Sequence, residues 1–354
     1  MKRKFTVTQI DLTPLKGMNF SCLEGCGFCC SYPAEVMESE DSFFRIKDME
    51  PAALKKWETT DPQFCNVFTM KQQNDIGACI YLREDNRCGI YPIRSIICRN
   101  YPIKIFFGWR IQLYVTMTCR GVIEAPGSSK LLQTGEQVIS ETPSEIILQR
   151  ISKADEMYSS LPQVLENYIP PEALQKKLIE CASSIVIDPF KLSEECITDF
   201  ESQLSSDNFM DLPTYLSKDL KWMVFKLEEN QIKELILKRN GETETTRVTD
   251  YSGIRPRACS AAAIKYMRQY LLNIAHHDHF TGMVYLNAIN SGAYDSIVDQ
   301  GVHLLNKIAG EFLVKANFLA AIGNHKEIDE ELVRETIIFS DGYLATCPAY
   351  GIVI

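Results

Sequence analysis

The residues best suited to bind a metal form a run of cysteines near the amino terminus, made up of Cys22, Cys26, Cys29 and Cys30. The spacing CxxxCxxC lets three thiolates of one loop converge on a metal. Gly25 and Gly27 lie within the run, where they let the backbone bend and turn its amides towards sulfur. The side chains of the adjacent Cys29 and Cys30 tend to diverge, so one small ion is not expected to take all four.

The same region supplies four more cysteines, which are Cys79, Cys88, Cys98 and Cys119. Eight thiols make two complete sets of four, so the sequence predicts either two metal sites or a polynuclear cluster. No histidine precedes His276, and a zinc site here would therefore consist almost wholly of cysteine. Iron–sulfur clusters, which also prefer four thiolates, are the alternative that we favour, with [4Fe–4S] as the expected form.

Cysteine usage also sets the expected compartment. The chain has 13 cysteines, and disulfides are disfavoured in a reducing cytoplasm, so metal or redox chemistry explains a dense cluster better. The isolated cysteines are expected to be small buried apolar residues. These are Cys65, Cys181, Cys196, Cys259 and Cys347. Whether Cys65 replaces one of the eight candidate ligands is left open.

Several residues next to these cysteines are expected to support a thiolate site. The arginines that could offset its negative charge are Arg87, Arg94, Arg99 and Arg120. Tyr91 and Tyr101, each followed by proline, are expected to pack around the site and limit water access. The alternative, that these arginines and tyrosines only build surface and core, is about equally favoured for any one of them.

A second polar cluster, His276, His277, Asp278 and His279, falls at the end of a predicted helix. Such residues can bind a hard metal or act as a catalytic base. On a helix only His276 and His279 would share a face, and polar or cationic residues at a helix carboxyl terminus are favoured by the dipole. Helix capping or surface polarity is the preferred interpretation, and no catalytic residue is assigned.

Composition excludes some classes of function. At 354 residues, two domains are expected. The formal net charge of -9 gives no general attraction to nucleic acid. The first residues, MKRKFTVTQIDL, lack the continuous apolar stretch of a secretory signal, and charges interrupt every later apolar stretch before membrane-spanning length. We therefore expect a cytoplasmic protein without a membrane partner.

The amino-terminal region is expected to be a turn-rich α+β domain over residues 1–124. Its predicted elements are a strand in KFTVTQIDL, a helix from Pro51 through AALKKWET, a strand in ACIYLRE, a turn at 84–87, and a hairpin of PIKIFF and WRIQLYVTMT turning at Phe107 to Gly108.

Residues 125–354 are expected to form a mainly helical domain after the turn-forming segment APGSSK. The apolar spacing predicts helices over 143–159, 172–184, 193–204, 257–275, 294–308 and 328–341. IKELILKR, Asn240-Gly241 and ETETTRV predict a hairpin, because Asn-Gly fits a turn with positive φ; a helix for the first arm is the alternative.

Residues 20–120 resemble the zinc- or iron-chelating family with a CxxxCxxCC signature. The first half of the motif is Cys22 to Cys30. The second half is Cys79, then Cys88-Gly-Ile-Tyr91, then Arg94-Ser95-Ile-Ile-Cys98-Arg99 and Tyr101-Pro102. Ser95 stands where the family has proline, a departure that affects a local turn more than metal binding. The resemblance implies a metal-binding cysteine cluster and leaves metal and reaction open.

One branch of this family, the flagellin lysine N-methylases, also has a long helical region after the cluster. Those proteins use S-adenosylmethionine and contain iron–sulfur clusters, so the resemblance implies a protein lysine methyltransferase with a protein substrate. The alternative is a non-catalytic iron–sulfur or zinc protein that acts in metal handling, electron transfer or assembly of a partner.

A third interpretation rests on Cys22, Cys26, Phe28 and Cys29, which also fit the radical S-adenosylmethionine motif. In that class three cysteines hold a [4Fe–4S] cluster and leave one iron open for the cofactor. Such enzymes usually continue into repeated strand and helix units, whereas this chain continues into further cysteines and then helices. The short motif without that context is therefore the least favoured of the three interpretations.

Overall fold

The computed structural model describes residues 10–27, 29, 37–38, 57–59, 68–70, 78–94, 96–124, 129–142, 144–291 and 296–353. Its strands are β1 (Ile10–Asp11), β2 (Asn19–Phe20), β3 (Met37–Glu38), β4 (Trp57–Thr59), β5 (Phe68–Met70), β6 (Ile103–Phe107), β7 (Ile111–Val115), β8 (Ser129–Lys130), β9 (Thr214–Leu216), β10 (Trp222–Glu228), β11 (Gln231–Leu237), β12 (Thr243–Asp250) and β13 (Ile352–Val353). Its α-helices are α1 (Ile96–Asn100), α2 (Arg120–Ile123), α3 (Leu131–Glu141), α4 (Ser144–Val164), α5 (Pro171–Ser184), α6 (Glu194–Leu204), α7 (Ala261–His276), α8 (Asp278–Ser291), α9 (Ile297–Ile322) and α10 (Glu330–Thr346).

These elements confirm the predicted α+β class. They form two compact units, each made of separate chain segments. The helical unit contains Met1–Ser21, Pro102–Phe200 and Gly253–Ile354, and the cysteine unit contains Cys22–Tyr101 and Glu201–Ser252. The predicted division into domains of residues 1–124 and 125–354 stays a prediction.

The helical unit contains a four-stranded sheet with the order β1-β7-β6-β13. β6 and β7 form an antiparallel hairpin in which Phe107 pairs with Ile111, and β1 adds to β7 in parallel. Every residue of β7 is buried. This explains its run of apolar residues, because a strand covered on both faces loses the alternation of a half-exposed one.

Helices α5, α7, α8, α9 and α10 pack on one another in the same unit. The longest, α9, begins where the Ser296 side chain accepts hydrogen bonds from the amides of Val298 and Asp299, a favourable amino-terminal cap. Phe312 and Phe318 of α9 are buried, and Phe200 packs edge-to-face on Phe318 with ring centroids 5.1 Å apart. Apolar packing between helices therefore forms the core of this unit.

The cysteine unit contains a four-stranded antiparallel sheet with the order β12-β11-β10-β9. Gly241 has φ +81° in the turn between β11 and β12, as the Asn-Gly pair predicts. Both arms are strands, which excludes the alternative helix for the first one. A second, three-stranded sheet has the order β3-β5-β4.

Most long periodic segments were predicted correctly. The hairpin of β6 and β7 and the six predicted helices are confirmed, with shifted ends, as α4, α5, α6, α7, α9 and α10. Helices α3 and α8 were not predicted. The predicted amino-terminal strand is confirmed only over Ile10–Asp11, and its earlier residues lie outside the described part of the chain.

Two predictions for the cysteine-rich region were wrong. The helix predicted from Pro51 through Thr59 is wrong over its last three residues, because Trp57–Thr59 is a strand that pairs with Phe68–Met70. Its first part, 51–56, lies outside the described residues. The strand predicted for ACIYLRE is instead a turn that contains isolated bridge residues, among them Leu82, which pairs with Cys88. The predicted turn at 84–87 is confirmed by the hydrogen bond from the Arg83 amide to the Arg87 carbonyl, 2.9 Å.

Arg120, expected to offset thiolate charge, is instead paired with carboxylates of the helical unit. Its side chain is fully buried, and its guanidinium contacts Glu335 at 2.9 Å and Glu124 at 2.6 Å. The positive charge is thus compensated within a low-dielectric interior, where an unpaired charge would be costly.

The histidine cluster is placed differently from the preferred interpretation. Helix α7 ends at His276, which is exposed as expected, but Asp278 and His279 are buried where α8 begins. The His279 ring nitrogen Nε2 lies 3.0 Å from the Cys347 carbonyl oxygen. Burial lowers the pKa of His279 to about 4, and burial together with the two neighbouring histidines lowers the pKa of His277 to about 3. Both side chains are therefore neutral near pH 7.

Among the described residues, no helix combines the length and the apolar composition that crossing a membrane would require.

Removing the charge of Glu335 should destabilise the protein strongly. Glu335→Gln leaves Arg120 buried beside a neutral partner, and we expect the free energy of unfolding to fall by about 3 kcal/mol in chemical denaturation. Glu330→Gln on the same helix is the matched control, because Glu330 pairs with the exposed Arg334 and its loss should cost under about 1 kcal/mol. Equal effects of the two substitutions would contradict the role given to Arg120.

Stability should fall with pH below about 6.5. In the unfolded chain a histidine titrates near pH 6.5, so between about pH 6.5 and 4 the unfolded state binds more protons than the folded state. His279→Gln should remove about 2 to 3 kcal/mol of the fall in unfolding free energy between pH 7 and 4. If plots of unfolding free energy against pH were parallel for His279→Gln and the unmodified protein, His279 would not be the titrating group.

Candidate metal centre

The cysteine loop, Cys22–Cys29, bends as its glycines predict. The Cys26 amide donates to the Leu23 carbonyl at 3.3 Å, which closes a turn between the first two cysteines. Gly25 and Gly27 have φ of +71° and +56°, in the left-handed region that side chains other than that of glycine rarely adopt. The loop conformation therefore depends on glycine at both positions.

Two thiols of the cysteine loop lie close enough to interact electrostatically. Burial raises the pKa of the Cys22 thiol, the neighbouring Cys29 raises it further, and the positive charge of Arg94 opposes both. This confirms the predicted placement of Arg94 beside the cysteines. The guanidinium carbon of Arg94 also lies 4.1 Å from the centroid of the Tyr91 ring.

A second cysteine pair lies on the two arms of a tight turn. The Tyr81 amide donates to the Cys79 sulfur at 3.4 Å, and the Leu82 amide donates to the Cys79 carbonyl at 2.9 Å. Cys88 returns opposite Leu82 through the isolated bridge. A backbone amide directed at sulfur stabilises the thiolate form, which is the form that binds metals.

Asn86 connects this turn to the cysteine loop. Its side-chain amide donates to the Gly25 carbonyl at 2.7 Å. A Cβ added to Gly27 would lie 3.2 Å from the Asn86 side chain, so the two segments approach closely. The Asn86 backbone has φ +60°, which asparagine tolerates better than most residues. One side chain therefore fixes the distance between the two cysteine-bearing segments.

The turn that connects β11 and β12 holds the Asn86 side chain in place. Arg239, at the end of β11, hydrogen bonds through its guanidinium to the Asn86 side-chain oxygen and donates to the Glu84 carbonyl at 3.1 Å. The Arg239 carbonyl accepts from the Ala78 amide at 3.0 Å. The segment that carries Cys79 is thus bound by backbone as well as side-chain hydrogen bonds.

Cys26 faces an apolar cluster on the same sheet. It is partly buried and, like Tyr101, packs against a cluster of five buried residues, Leu212, Leu216, Trp222, Val224 and Leu237. Whether Tyr101 also packs around the cysteines stays a prediction. Tyr91 does not shield the site, because 59% of its surface is exposed.

The other predicted ligands are placed separately or lie outside the described residues. Cys98 is half-buried in α1, and Cys119 is buried in the helical unit, at the residue before α2. Cys30 lies outside the described residues. Over the part of the chain that the structure describes, no three His, Cys, Asp or Glu side chains converge as ligands of one ion. The complete eight-cysteine set stays a prediction.

The isolated cysteines are placed outside this arrangement. Cys196 is buried, as predicted, and burial raises the pKa of its thiol. Cys181, Cys259 and Cys347 are half-buried rather than buried, and Cys65 falls outside the described residues.

The residues present nevertheless fit a thiophilic metal in their donor chemistry. Cys22 and Cys29 are neighbours, and Cys79 already accepts an amide hydrogen bond at sulfur. The Nε atom of Arg94, beside Cys22, is buried and has no hydrogen-bond partner among the described residues. A negatively charged thiolate centre would compensate the positive charge of Arg94 and accept a hydrogen bond from its buried N–H group.

Sequence reasoning missed Asn86 and Arg239. The predicted turns at 84–87 and at Asn240-Gly241 marked both neighbourhoods. The contact between the two turns spans 153 positions in the chain, and local pattern carries no information on such a distance.

The comparisons agree with the cysteine motif. Residues 21–119 match the family model CxxCxxCC, described as "Putative zinc- or iron-chelating domain". No curated protein and no solved structure matches the chain. The matched residues contain all eight predicted ligands, from Cys22 to Cys119. Residues 21–119 of this protein are therefore similar to the zinc- or iron-chelating domain that this family model describes.

Proposed function

We propose that the protein binds an iron–sulfur cluster, with [4Fe–4S] preferred over zinc, through the thiolates of its CxxCxxCC domain. The observation that carries the proposal is the electrostatic interaction of the Cys22 and Cys29 thiols beside Arg94, whose Nε atom is buried. Like-charged thiolates repel each other, and the positive charges of a metal centre and of Arg94 would offset that repulsion.

The ligand count supports a polynuclear centre over a single ion. The family domain has more thiols than one tetrahedral site takes, and two of them, Cys29 and Cys30, are adjacent. A cluster offers several irons at different positions, so diverging side chains can each find a ligand site. When bound, such a cluster supplies electron transfer or a rigid covalent cross-link between the segments, while zinc would supply only the cross-link.

A finer form of the proposal is methyl transfer from S-adenosylmethionine to a protein lysine. It is supported by the motif's resemblance to the flagellin lysine N-methylases and by the helices that follow the matched domain. No described residue is assigned to the methyl donor. Retention of labelled S-adenosylmethionine by the purified protein tests this form, and failure to bind it leaves the non-catalytic metal protein as the function.

Anaerobic purification should give a coloured protein that contains iron and acid-labile sulfide. The measurements are metal analysis, sulfide analysis and an optical spectrum. In that spectrum, an absorption band at about 400 nm marks sulfur-to-iron charge transfer in a bound cluster. A colourless protein with about two zinc ions would rule out the cluster and retain the cysteine site.

Single cysteine substitutions should separate the ligands from the other cysteines. Cys29→Ser removes a ligand next to Cys22 and should lower the metal content by at least half, while Cys30→Ser should remove a different part of it. Cys181→Ser is the matched control outside the domain and should leave the metal content unchanged. If Cys29→Ser and Cys30→Ser lose the same single metal, the inference of more than one metal position is wrong.

Asn86→Asp should loosen the cysteine loop with little change in shape. The new carboxylate cannot donate to the Gly25 carbonyl and faces it with like partial charge, whereas it still accepts from Arg239. We expect metal loss to a chelator to be about tenfold faster. Asn240→Asp is the control, because the side-chain oxygen that accepts from the Glu242 amide is kept. Equal rates of loss in the two variants would show that Asn86 does not position the loop.

A further inference from the structure

The helical unit contains a large cavity that the cysteine chemistry does not use. Its volume is about 580 Å³, within the usual range for small-molecule sites. Its lining extends from buried residues, including Asp341 and Tyr270, to the exposed Lys16 and Gln269. The cavity therefore reaches the surface of the unit at one end and its interior at the other.

A recess of about 20 Å³ adjoins the buried end, since it shares Asp341, His277, Val115 and Ile274 with the larger cavity. A volume of this size holds one group no larger than a water molecule. Tyr114 also lines the recess, and its hydroxyl is buried without a hydrogen-bond partner among the described residues. A buried hydroxyl without a partner is costly in a folded protein, so it marks a place where a ligand atom is missing.

One carboxyl group, that of Asp341, lines the recess. The Asp341 side chain is buried in it and accepts from the Met117 amide at 2.6 Å, the Tyr270 hydroxyl at 2.9 Å and the Thr116 hydroxyl at 3.1 Å. Burial raises the pKa of this carboxyl group, and these hydrogen bonds, together with one from the Thr118 amide, oppose that rise. The donors are all neutral, so the carboxylate charge is stabilised only by dipoles.

The aromatic groups of the recess carry no charge that opposes a cation. The Tyr114 ring lies 4.9 Å from the His277 ring and is stacked at 5.7 Å on that of His279. Both imidazoles are neutral near pH 7, because burial lowers their pKa values to about 3 and about 4. They therefore add no positive charge that would repel a cation from the recess.

The cations that border the larger cavity are unsuited to binding an anion. Arg110 binds both oxygens of Asp278 at 2.7 Å and Asp11 at 3.0 Å, so its charge is already paired with two carboxylates. Lys16 lies at the exposed end, where solvent screens its charge.

We propose that this cavity binds a small organic amine, with its primary ammonium group in the recess between Tyr114 and Asp341 and its carbon chain in the larger cavity. The ammonium group is about the size of water and carries three donors. The Tyr114 hydroxyl oxygen and the Asp341 carboxylate accept from it. Val115, Met117 and Ile274 supply apolar surface for a short alkyl chain.

Calorimetric titration of the full-length protein with pentylamine tests the proposal. Pentanol and pentanoate are controls of the same length that lack the cation or reverse the charge. We expect saturable binding of pentylamine, at least about tenfold weaker binding of pentanol, and no binding of pentanoate. Equal affinity for pentylamine and pentanol, or no binding of the amine, would overturn the proposal.

Tyr114→Phe separates binding in the recess from general attraction of cations to an acidic protein. It removes only the hydroxyl without a partner, so the melting temperature should be unchanged or higher while pentylamine binds about tenfold more weakly. Tyr285→Phe is the matched control: its hydroxyl donates to the Ile169 carbonyl away from the cavity, so the melting temperature should fall and amine affinity should not. Unchanged amine affinity in Tyr114→Phe would contradict the assigned recess.

Discussion

The arrangement of the cysteine unit depends on the hydrogen bond from the Asn86 side chain to the Gly25 carbonyl. A loop made of cysteine, glycine and few large apolar residues buries little surface, so packing alone cannot hold it in one conformation. Directed hydrogen bonds have to do so. Arg239 orients Asn86 from the sheet hairpin, and the loop is thereby attached to an element that has its own apolar core.

This attachment explains how two thiols are kept near one another before any metal binds, although their thiolate forms would repel each other. Bringing Cys22 close to Cys29 raises the cost of ionising either, and Arg94 lowers it again. The amide hydrogen bond to Cys79 acts in the same direction. Metal binding releases the thiol protons, so a site with these compensating groups loses less affinity to proton competition than an uncompensated one.

Sequence reasoning succeeded where the signal is local. The glycines of the cysteine loop, the Asn240-Gly241 turn and the long helices follow from φ preferences and from periodicity within a single segment. It failed where distant segments decide the structure. Trp57–Thr59 is a strand because Phe68–Met70 pairs with it, and His279 is buried because the chain returns to it at Cys347. The motif predicted the ligand types, but the contacts of Asn86 that position the cysteine loop span 61 residues to Gly25 and 153 to Arg239.

If the protein binds metal as proposed, cysteine sulfur surrounds the metal held by residues 21–119. X-ray absorption at the edge of the bound metal, on the protein purified without oxygen, tests this. We expect a first shell of sulfur at about 2.3 Å, together with an iron–iron distance if the centre is a cluster. A first shell of nitrogen or oxygen at about 2.0 to 2.1 Å would contradict ligation by the cysteine thiolates.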